Sequence, residues 1–148
     1  MIGELNIYSC YSFQNSTILI KDLCKRAHDL HLEAIALTDI NNMYGAVEFS
    51  NECHKYDIKP IFGMQGNVNV EGEIYPFLLL AKDQVGYHDL MKICSDINLS
   101  DQKAIDLEKL RLYHEHLFIL SGCKEGIVER CVLKELESEA LRYMALFK

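Results

Sequence analysis

The chain has 148 residues, 49% of them hydrophobic and 25% charged, which is the balance of a globular domain with a core of its own. Its net charge is −7, and the basic residues Lys21, Lys25 and Arg26 are interrupted by acidic ones, which argues against a surface that grips DNA. The longest apolar run, residues 76–81, is far shorter than the ~20 residues of a membrane helix, and no signal peptide is present, so a cytoplasmic location is expected.

Strands and helices alternate in the first half of the chain. Residues 4–8 alternate in polarity as a strand does, and Ser16 or Thr17 can cap the helix that follows. Residues 34–38 form a continuous apolar run, which predicts a strand covered on both faces. Two helical stripes predict the buried faces of the first two helices: Ile20, Leu23, Cys24 and Ala27, then Ala46, Phe49, Ser50 and Cys53.

The second half continues the pattern from a third strand that begins at Pro60. Two strand-like runs joined by a short polar turn predict a hairpin. The remaining predicted elements are two helices, a buried strand and a helical end: residues 66–70 and 74–81 for the hairpin, then 85–95, 106–113, 117–120 and 126–147. This order predicts an α/β fold with mainly parallel strands and one hairpin.

Chemistry in such sheets occurs where the strands end. The predicted strand ends carry Tyr8, Asp39 with Ile40, Gln65, and Ser121 with Gly122, so we expect these positions to converge. Tyr8 is expected to fill a pocket with its hydroxyl bonded to Asn6 or Asp39. For Asp39, the simpler interpretation is a turn residue that accepts the amides of Asn41 and Asn42.

Cysteines and histidines offer few other sites. The six cysteines contain no C-x-x-C pair and are interpreted as small buried hydrophobes in a reducing compartment: Cys10, Cys24, Cys53, Cys94, Cys123 and Cys131. Cys24 and His28 lie one helical turn apart and can chelate, but a buried cysteine beside a half-exposed histidine is favoured. His114 and His116 are expected at the surface.

Several ordered blocks of sequence resemble the polymerase and histidinol phosphatase (PHP) domain of the bacterial DNA polymerase III alpha subunits of the DnaE type. They cover nearly the whole chain in the order and spacing of that family: Ser9-Cys10-Tyr11-Ser12, Ile20-Lys21-Asp22-Leu23, Ala36-Leu37-Thr38-Asp39, Gly45-Ala46-Val47-Glu48-Phe49, Lys59-Pro60-Ile61-Phe62-Gly63, Leu79-Leu80-Ala81-Lys82 and Leu120-Ser121-Gly122-Cys123. The resemblance implies the first part of a distorted (βα) barrel.

Metal-binding members of that family hold divalent ions with His, Asp and Glu side chains and hydrolyse phosphate esters. At the corresponding positions, this chain retains one charged ligand type, Asp39. The remaining positions hold Asn6, Tyr8, Asn15, Ile40, Gln65 and Pro76. Because zinc and manganese sites need imidazole, thiolate or carboxylate ligands, the prediction is a vestigial site with no metal, no cofactor and no catalytic residue in this segment.

The resemblance further implies that residues 1–148 are a partial PHP domain of a DNA-directed DNA polymerase, a nucleotidyltransferase of DNA replication. Its palm, fingers and later domains, and the Mg²⁺ of the palm, would lie outside this sequence. This segment would be an inactive scaffold. The implied partners are the rest of the polymerase chain, replisome proteins such as the sliding clamp or a proofreading subunit, and primed DNA with dNTPs for the whole polymerase.

Two other functions remain open. A stand-alone PHP phosphoesterase would contain zinc or manganese and would hydrolyse an aryl phosphate. A small binding or regulatory module would have no polymerase attached, and an open reading frame that continues past Lys148 would argue against it.

The half barrel also predicts unpaired strand edges, so the chain is either a fragment or pairs with another copy.

Overall fold

The computed structural model describes residues 3–122 and 125–146, in which strands and helices alternate as the pattern predicts. The strands are β1 (Ala34–Leu37), β2 (Lys59–Val70), β3 (Glu73–Ala81), β4 (Ile105–Asp106) and β5 (Leu117–Ser121). The helices are α1 (Ile20–Asp29), α2 (Ala46–Lys55), α3 (Gln84–Leu99), α4 (Leu107–Leu110), a 3₁₀ helix (Arg111–His116), α5 (Ile127–Leu133) and α6 (Glu137–Leu146).

The five strands form one mixed sheet in the order β1-β2-β3-β5, with the short β4 paired to β2. β1 runs parallel to β2, with Ala34 opposite Lys59. The predicted hairpin is present, since β2 and β3 pair antiparallel and are joined at Glu71 and Gly72. β5 also pairs antiparallel with β3, which the sequence did not predict. The α/β class is confirmed, and the sheet combines both strand directions.

Two hydrophobic clusters hold the helices on the sheet. The smaller cluster packs α1 and α2 against β1, with members that include Ile20, Cys24, Ile35, Phe49 and Cys53. The larger cluster packs α3, α4, α5 and α6 against β2, β3 and β5, with members that include Met64, Val68, Phe77, Leu79, Leu90, Ile93 and Ile97. The helical stripes predicted for α1 and α2 are therefore confirmed.

The opposite face of the sheet is only partly covered. Register places Gln65, Leu78 and Leu120 in one row across β2, β3 and β5, and alternation puts Phe118 on the same face. Phe118 is 57% exposed and Leu120 is 42% exposed, so the prediction of a fully buried strand at residues 117–120 is wrong for these two side chains.

Some predicted boundaries also differ from the structure. Residues 4–8 form no strand, although the segment follows the edge of β1, with Thr38 N donating to Ile7 O at 2.9 Å. Neither Ser16 nor Thr17 caps α1, which begins after Leu19 without a side-chain cap. The predicted final helix is two helices, because the chain turns at Glu135, whose φ is +59°.

Within the described part of the chain, no helix combines the length and apolarity that crossing a membrane requires.

Candidate functional site

The candidate site lies where β1 ends beside β2. The chain leaving β1 stays next to β2, since Ile40 forms an isolated parallel bridge with Gln65. Gln65 N donates to Asp39 O at 3.1 Å, and Asn41 N donates to Gln65 O at 2.8 Å. The predicted convergence of the first strand ends is therefore confirmed for Asp39, Ile40 and Gln65.

Asp39 is the central hydrogen-bond acceptor of this region, and it is only 2% exposed. Its Oδ1 accepts Ser9 N at 2.7 Å and Ser12 Oγ at 2.6 Å, and its Oδ2 accepts Ser9 Oγ at 2.6 Å. Ser12 Oγ in turn accepts Ile40 N at 3.0 Å. Both carboxylate oxygens thus hold the loop that follows residues 4–8 against the end of β1.

The interpretation that Asp39 binds the turn amides of Asn41 and Asn42 is wrong. Asn42 organises that turn itself: its amide Nδ2 donates to Tyr11 O at 3.1 Å and to Ile40 O at 2.9 Å, and its Oδ1 accepts Tyr44 N at 3.2 Å. Sequence reasoning missed the two serine partners of Asp39. Ser9 and Ser12 lie 30 and 27 residues from Asp39, so no local pattern indicates this contact.

A second group of hydrogen bonds joins three of the seven vestigial positions, Asn6, Tyr8 and Gln65. The Tyr8 hydroxyl donates to Gln65 Oε1, and Asn6 Nδ2 lies 3.5 Å from the Tyr8 hydroxyl. Thr38 Oγ1 donates to Asn6 Oδ1 at 3.0 Å. The predicted contact between Tyr8 and Asn6 is confirmed, and the second partner is Gln65 rather than Asp39. The amide groups of Asn6 and Gln65 and the phenol of Tyr8 therefore hydrogen-bond to one another or to Thr38, although Gln65 is far from the others in sequence.

The other predicted positions do not join this group. Asn15 is exposed and donates from Nδ2 to Phe13 O at 3.0 Å, within its own loop. Pro76 lies in β3 and pairs with Asn67 of β2. Asn67 is two residues beyond Gln65, so Pro76 lies on the same face of the sheet as Gln65 but one pair further along. Ser121 leaves the sheet on the opposite face and donates to Glu129 on α5. A Cβ on Gly122 would lie 2.3 Å from Pro76 O, so the close approach of these backbones requires glycine.

Two cavities in the described part of the chain differ in their relation to these positions. The larger, about 1620 Å³, is lined by Val47, Tyr87 and Phe118 among others, and by none of the seven vestigial positions. The smaller, about 10 Å³, is lined by Asp39, Asn42 and five neighbours. A volume of that size holds at most one water molecule. The cavity that Asp39 lines is therefore too small for a substrate, and Asp39 itself is buried.

The histidines and cysteines lie elsewhere. Cys24 is buried while His28 is exposed and stacks on Tyr56 at 5.2 Å between ring centroids. His114 is exposed, and the half-buried His116 contacts Asp83 through Nδ1 at 2.7 Å. Cys123 lies outside the described residues. In residues 3–122 and 125–146, no three His, Cys, Asp or Glu side chains gather closely enough to hold a metal ion.

Comparison with known proteins agrees with this geometry at the level of the fold. The solved structure of an amidohydrolase from Chromobacterium violaceum superposes on 74% of this chain and 36% of its own, with a TM-score of 0.52 and 18% identity. This likeness concerns the fold, an α/β arrangement of strands and helices.

Sequence comparison is more specific. The family model of the PHP domain matches residues 4–148, and the chain belongs to the PHP domain family. DNA polymerase III subunit alpha of Bacillus subtilis is 30% identical over 97% of the chain, and that of Rickettsia felis is 34% identical over 95%. The chain spans only 14% and 12% of the lengths of these two relatives. The resemblance inferred from the sequence motifs is confirmed.

Proposed function

We propose that this segment is a catalytically inactive PHP scaffold within a polymerase of the DNA polymerase III alpha type. The observation that supports the proposal is the hydrogen bonding of Asp39, the one charged residue among the vestigial positions. Its oxygens already accept three hydrogen bonds from Ser9 and Ser12, so the carboxylate serves the fold. A metal ion at Asp39 would have to displace these donors, and the cavity beside Asp39 holds at most one water molecule.

The donor set supports the same proposal. Neutral amides, a phenol, an isoleucine and a proline replace the ligands that zinc and manganese prefer. A cluster of divalent ions would bring several positive charges to a site with a single carboxylate, and nothing here would balance them. The residues present do not fit the metal cluster of the family.

The polymerase part of the proposal rests on the relatives. Those compared are DNA polymerase III alpha subunits that are 30–34% identical to the chain and many times longer. We therefore infer a parent polymerase that extends primed DNA from dNTPs with Mg²⁺ in a palm domain outside this sequence. The rest of that chain would be the first partner of this segment, and clamp or proofreading proteins would bind the assembled polymerase.

Metal content and phosphatase activity test the scaffold proposal. The purified chain, dialysed after exposure to zinc and then to manganese, is expected to hold well under one ion per chain by elemental analysis. It is expected to hydrolyse an aryl phosphate no faster than buffer does. Stoichiometric metal that survives dialysis, or turnover that a chelator abolishes, would overturn the proposal.

A restored variant shows that the assay can detect a metal. Asn6→His, Tyr8→His, Ile40→His and Gln65→Glu together return imidazole and carboxylate groups to the strand ends that the structure brings together. If circular dichroism shows that the variant folds, it should retain more zinc than the unchanged chain. Equal retention by both chains at stoichiometric level would place the metal elsewhere and contradict the vestigial assignment.

A further inference from the structure

Two cysteines from neighbouring helices meet inside the smaller core. Cys24 on α1 and Cys53 on α2 are both completely buried, and their sulfur atoms lie 3.6 Å apart. Both are free thiols. A disulfide has its sulfurs about 2.05 Å apart, so a closing movement of roughly 1.5 Å, shared between two side chains, separates the dithiol from a disulfide.

The surroundings of the pair restrict which reagents can reach it. Phe49 and Ile20 belong to the same buried cluster, and both are at most 1% exposed. About one turn beyond each cysteine, the rings of His28 and Tyr56 contact each other where α1 and α2 meet, with their centroids 5.2 Å apart. A small molecule can enter through local opening of the seam between α1 and α2, whereas a bulky disulfide such as oxidised glutathione cannot be accommodated while the helices stay packed.

The two thiols are chemically unequal. The hydrogen-bonding contact with Cys53 lowers the pKa of Cys24. The same contact, together with burial, raises the pKa of Cys53. Because the thiolate is the nucleophile in oxidation, the lowered pKa favours Cys24 as the attacking sulfur, and the 3.6 Å contact places the Cys53 sulfur where it can resolve the product.

We propose that Cys24 and Cys53 form a redox-modification site, at which a small hydroperoxide joins α1 to α2 through a disulfide. The Cys24 thiolate attacks one oxygen of hydrogen peroxide, the O–O bond breaks, and the released hydroxide takes up the proton that Cys24 lost and leaves as water. The resulting Cys24 sulfenic acid is attacked by the Cys53 sulfur. The S–O bond breaks, and a second water leaves with the Cys53 proton. Two thiols are oxidised and one peroxide is reduced to two waters.

The disulfide would close a loop that contains β1 and Asp39. Closing a loop of about 30 residues stabilises mainly by restricting the unfolded chain, so the oxidised protein should melt roughly 5–10 °C higher than the reduced protein. The disulfide would thus set the rigidity of the segment that carries Asp39 and Ile40.

Peptide mapping of the folded 148-residue chain tests the proposal. After hydrogen peroxide treatment, the protein is expected to be lighter by two hydrogen atoms. Blocking of the remaining free thiols and digestion should then yield a peptide linking Cys24 to Cys53. Oxidised glutathione should leave the pair reduced under the same conditions. A link between other cysteines, peroxide products on Cys10 or Cys94 alone, or no reaction before the protein unfolds would each overturn the proposal.

Variants separate the pair from general oxidation. Cys53→Ser removes the resolving thiol, so Cys24 should accumulate as sulfenic or sulfinic acid, and the rise in melting temperature should vanish. Cys94→Ser is the matched control on α3, and it should keep both the link and the rise. If Cys53→Ser fails to fold, the mapped link and its melting shift in the unchanged chain still decide the question.

Discussion

Asp39 is a buried carboxylate that joins the loop after residues 4–8 to the end of β1. A single turn hydrogen bond contributes about 1 kcal/mol, but this buried carboxylate accepts three bonds, and bonds to charged groups are stronger. Asp39→Ala would leave the Ser9 amide and two hydroxyls without an acceptor. We expect a loss of roughly 2–4 kcal/mol in the free energy of unfolding, measured by urea titration.

Two further variants control this prediction. Asp39→Asn keeps the size of the side chain but loses the charge and one acceptor, so its loss should fall between that of the alanine variant and zero. Ser12→Ala should cost about 1–2 kcal/mol, because Ser12 Oγ both donates to Asp39 and accepts Ile40 N. A cost for Asp39→Ala below about 1 kcal/mol would show that the network contributes little.

At the scale of elements, the start of α3 depends on a carboxylate and on a glycine. Asp83 Oδ1 accepts Gly86 N at 2.9 Å, and Asp83 Oδ2 contacts His116 Nδ1 at 2.7 Å. A Cβ on Gly86 would lie 2.1 Å from His116 O, so the helix approaches the 3₁₀ helix closely only with glycine there. The bond from Gly86, and after it the bond from His116, lowers the pKa of Asp83.

This lowered pKa predicts a pH dependence with a definite sign. A carboxyl whose folded pKa lies below its unfolded value of about 3.9 contributes stability above that value and loses the contribution as the pH falls through the folded pKa. Asp83→Ala should therefore lower the urea midpoint at pH 7, and the gap to the unchanged chain should narrow in strongly acidic solution. Asp101→Ala, at an exposed turn after α3, should show no such trend. A gap that stays constant with pH would contradict the assignment.

Elements with a strong local signal were predictable, and those decided by distant contacts were not. The run at residues 34–38, the α2 stripe and the hairpin follow from periodicity and turn residues, and the structure confirms them. Residues 4–8 alternate in polarity like a strand but are not part of the sheet. The chain turns at Glu135 with a positive φ, and no glycine stands there to indicate such a turn. The serine partners of Asp39 lie 30 and 27 residues away, where periodicity carries no information.

The whole molecule combines a covered and an uncovered face. Helices bury one face of the sheet, whereas the face that carries Gln65 also exposes Phe118 and Leu120. Lys82 Nζ lies 5.0 Å from the centroid of the Phe118 ring, which partly shields that aromatic surface. The sequence predicted the unpaired edge from the length of the half barrel, but not which strand would form it. The described sheet ends at β1 and at β5. Residues 3–7 bond to the outer edge of β1, with Thr38 N donating to Ile7 O at 2.9 Å, so β5 is the end that no other described strand pairs.

Charge at the molecular scale leads to a prediction about nucleic acid. With a net charge of −7 and its basic residues on α1 interrupted by Asp22 and Asp29, the chain lacks the phosphate contacts that dominate such affinity. We expect no saturable binding of a labelled oligothymidylate up to ~100 μM protein at about 0.15 M salt, measured by fluorescence anisotropy. Saturable binding in the micromolar range would contradict a scaffold that leaves DNA contacts to other domains.

The matched control converts the same helix into a basic surface. Asp22→Lys with Asp29→Lys removes both interruptions, including the carboxylate that lies 4.0 Å from Lys25 Nζ, and joins Lys21, Lys25 and Arg26 into one cationic stripe. That variant should gain measurable affinity that falls steeply with salt, because phosphate contacts release condensed counterions. If it binds and the unchanged chain does not, charge at this surface accounts for the difference, since the rest of the chain is the same in both proteins.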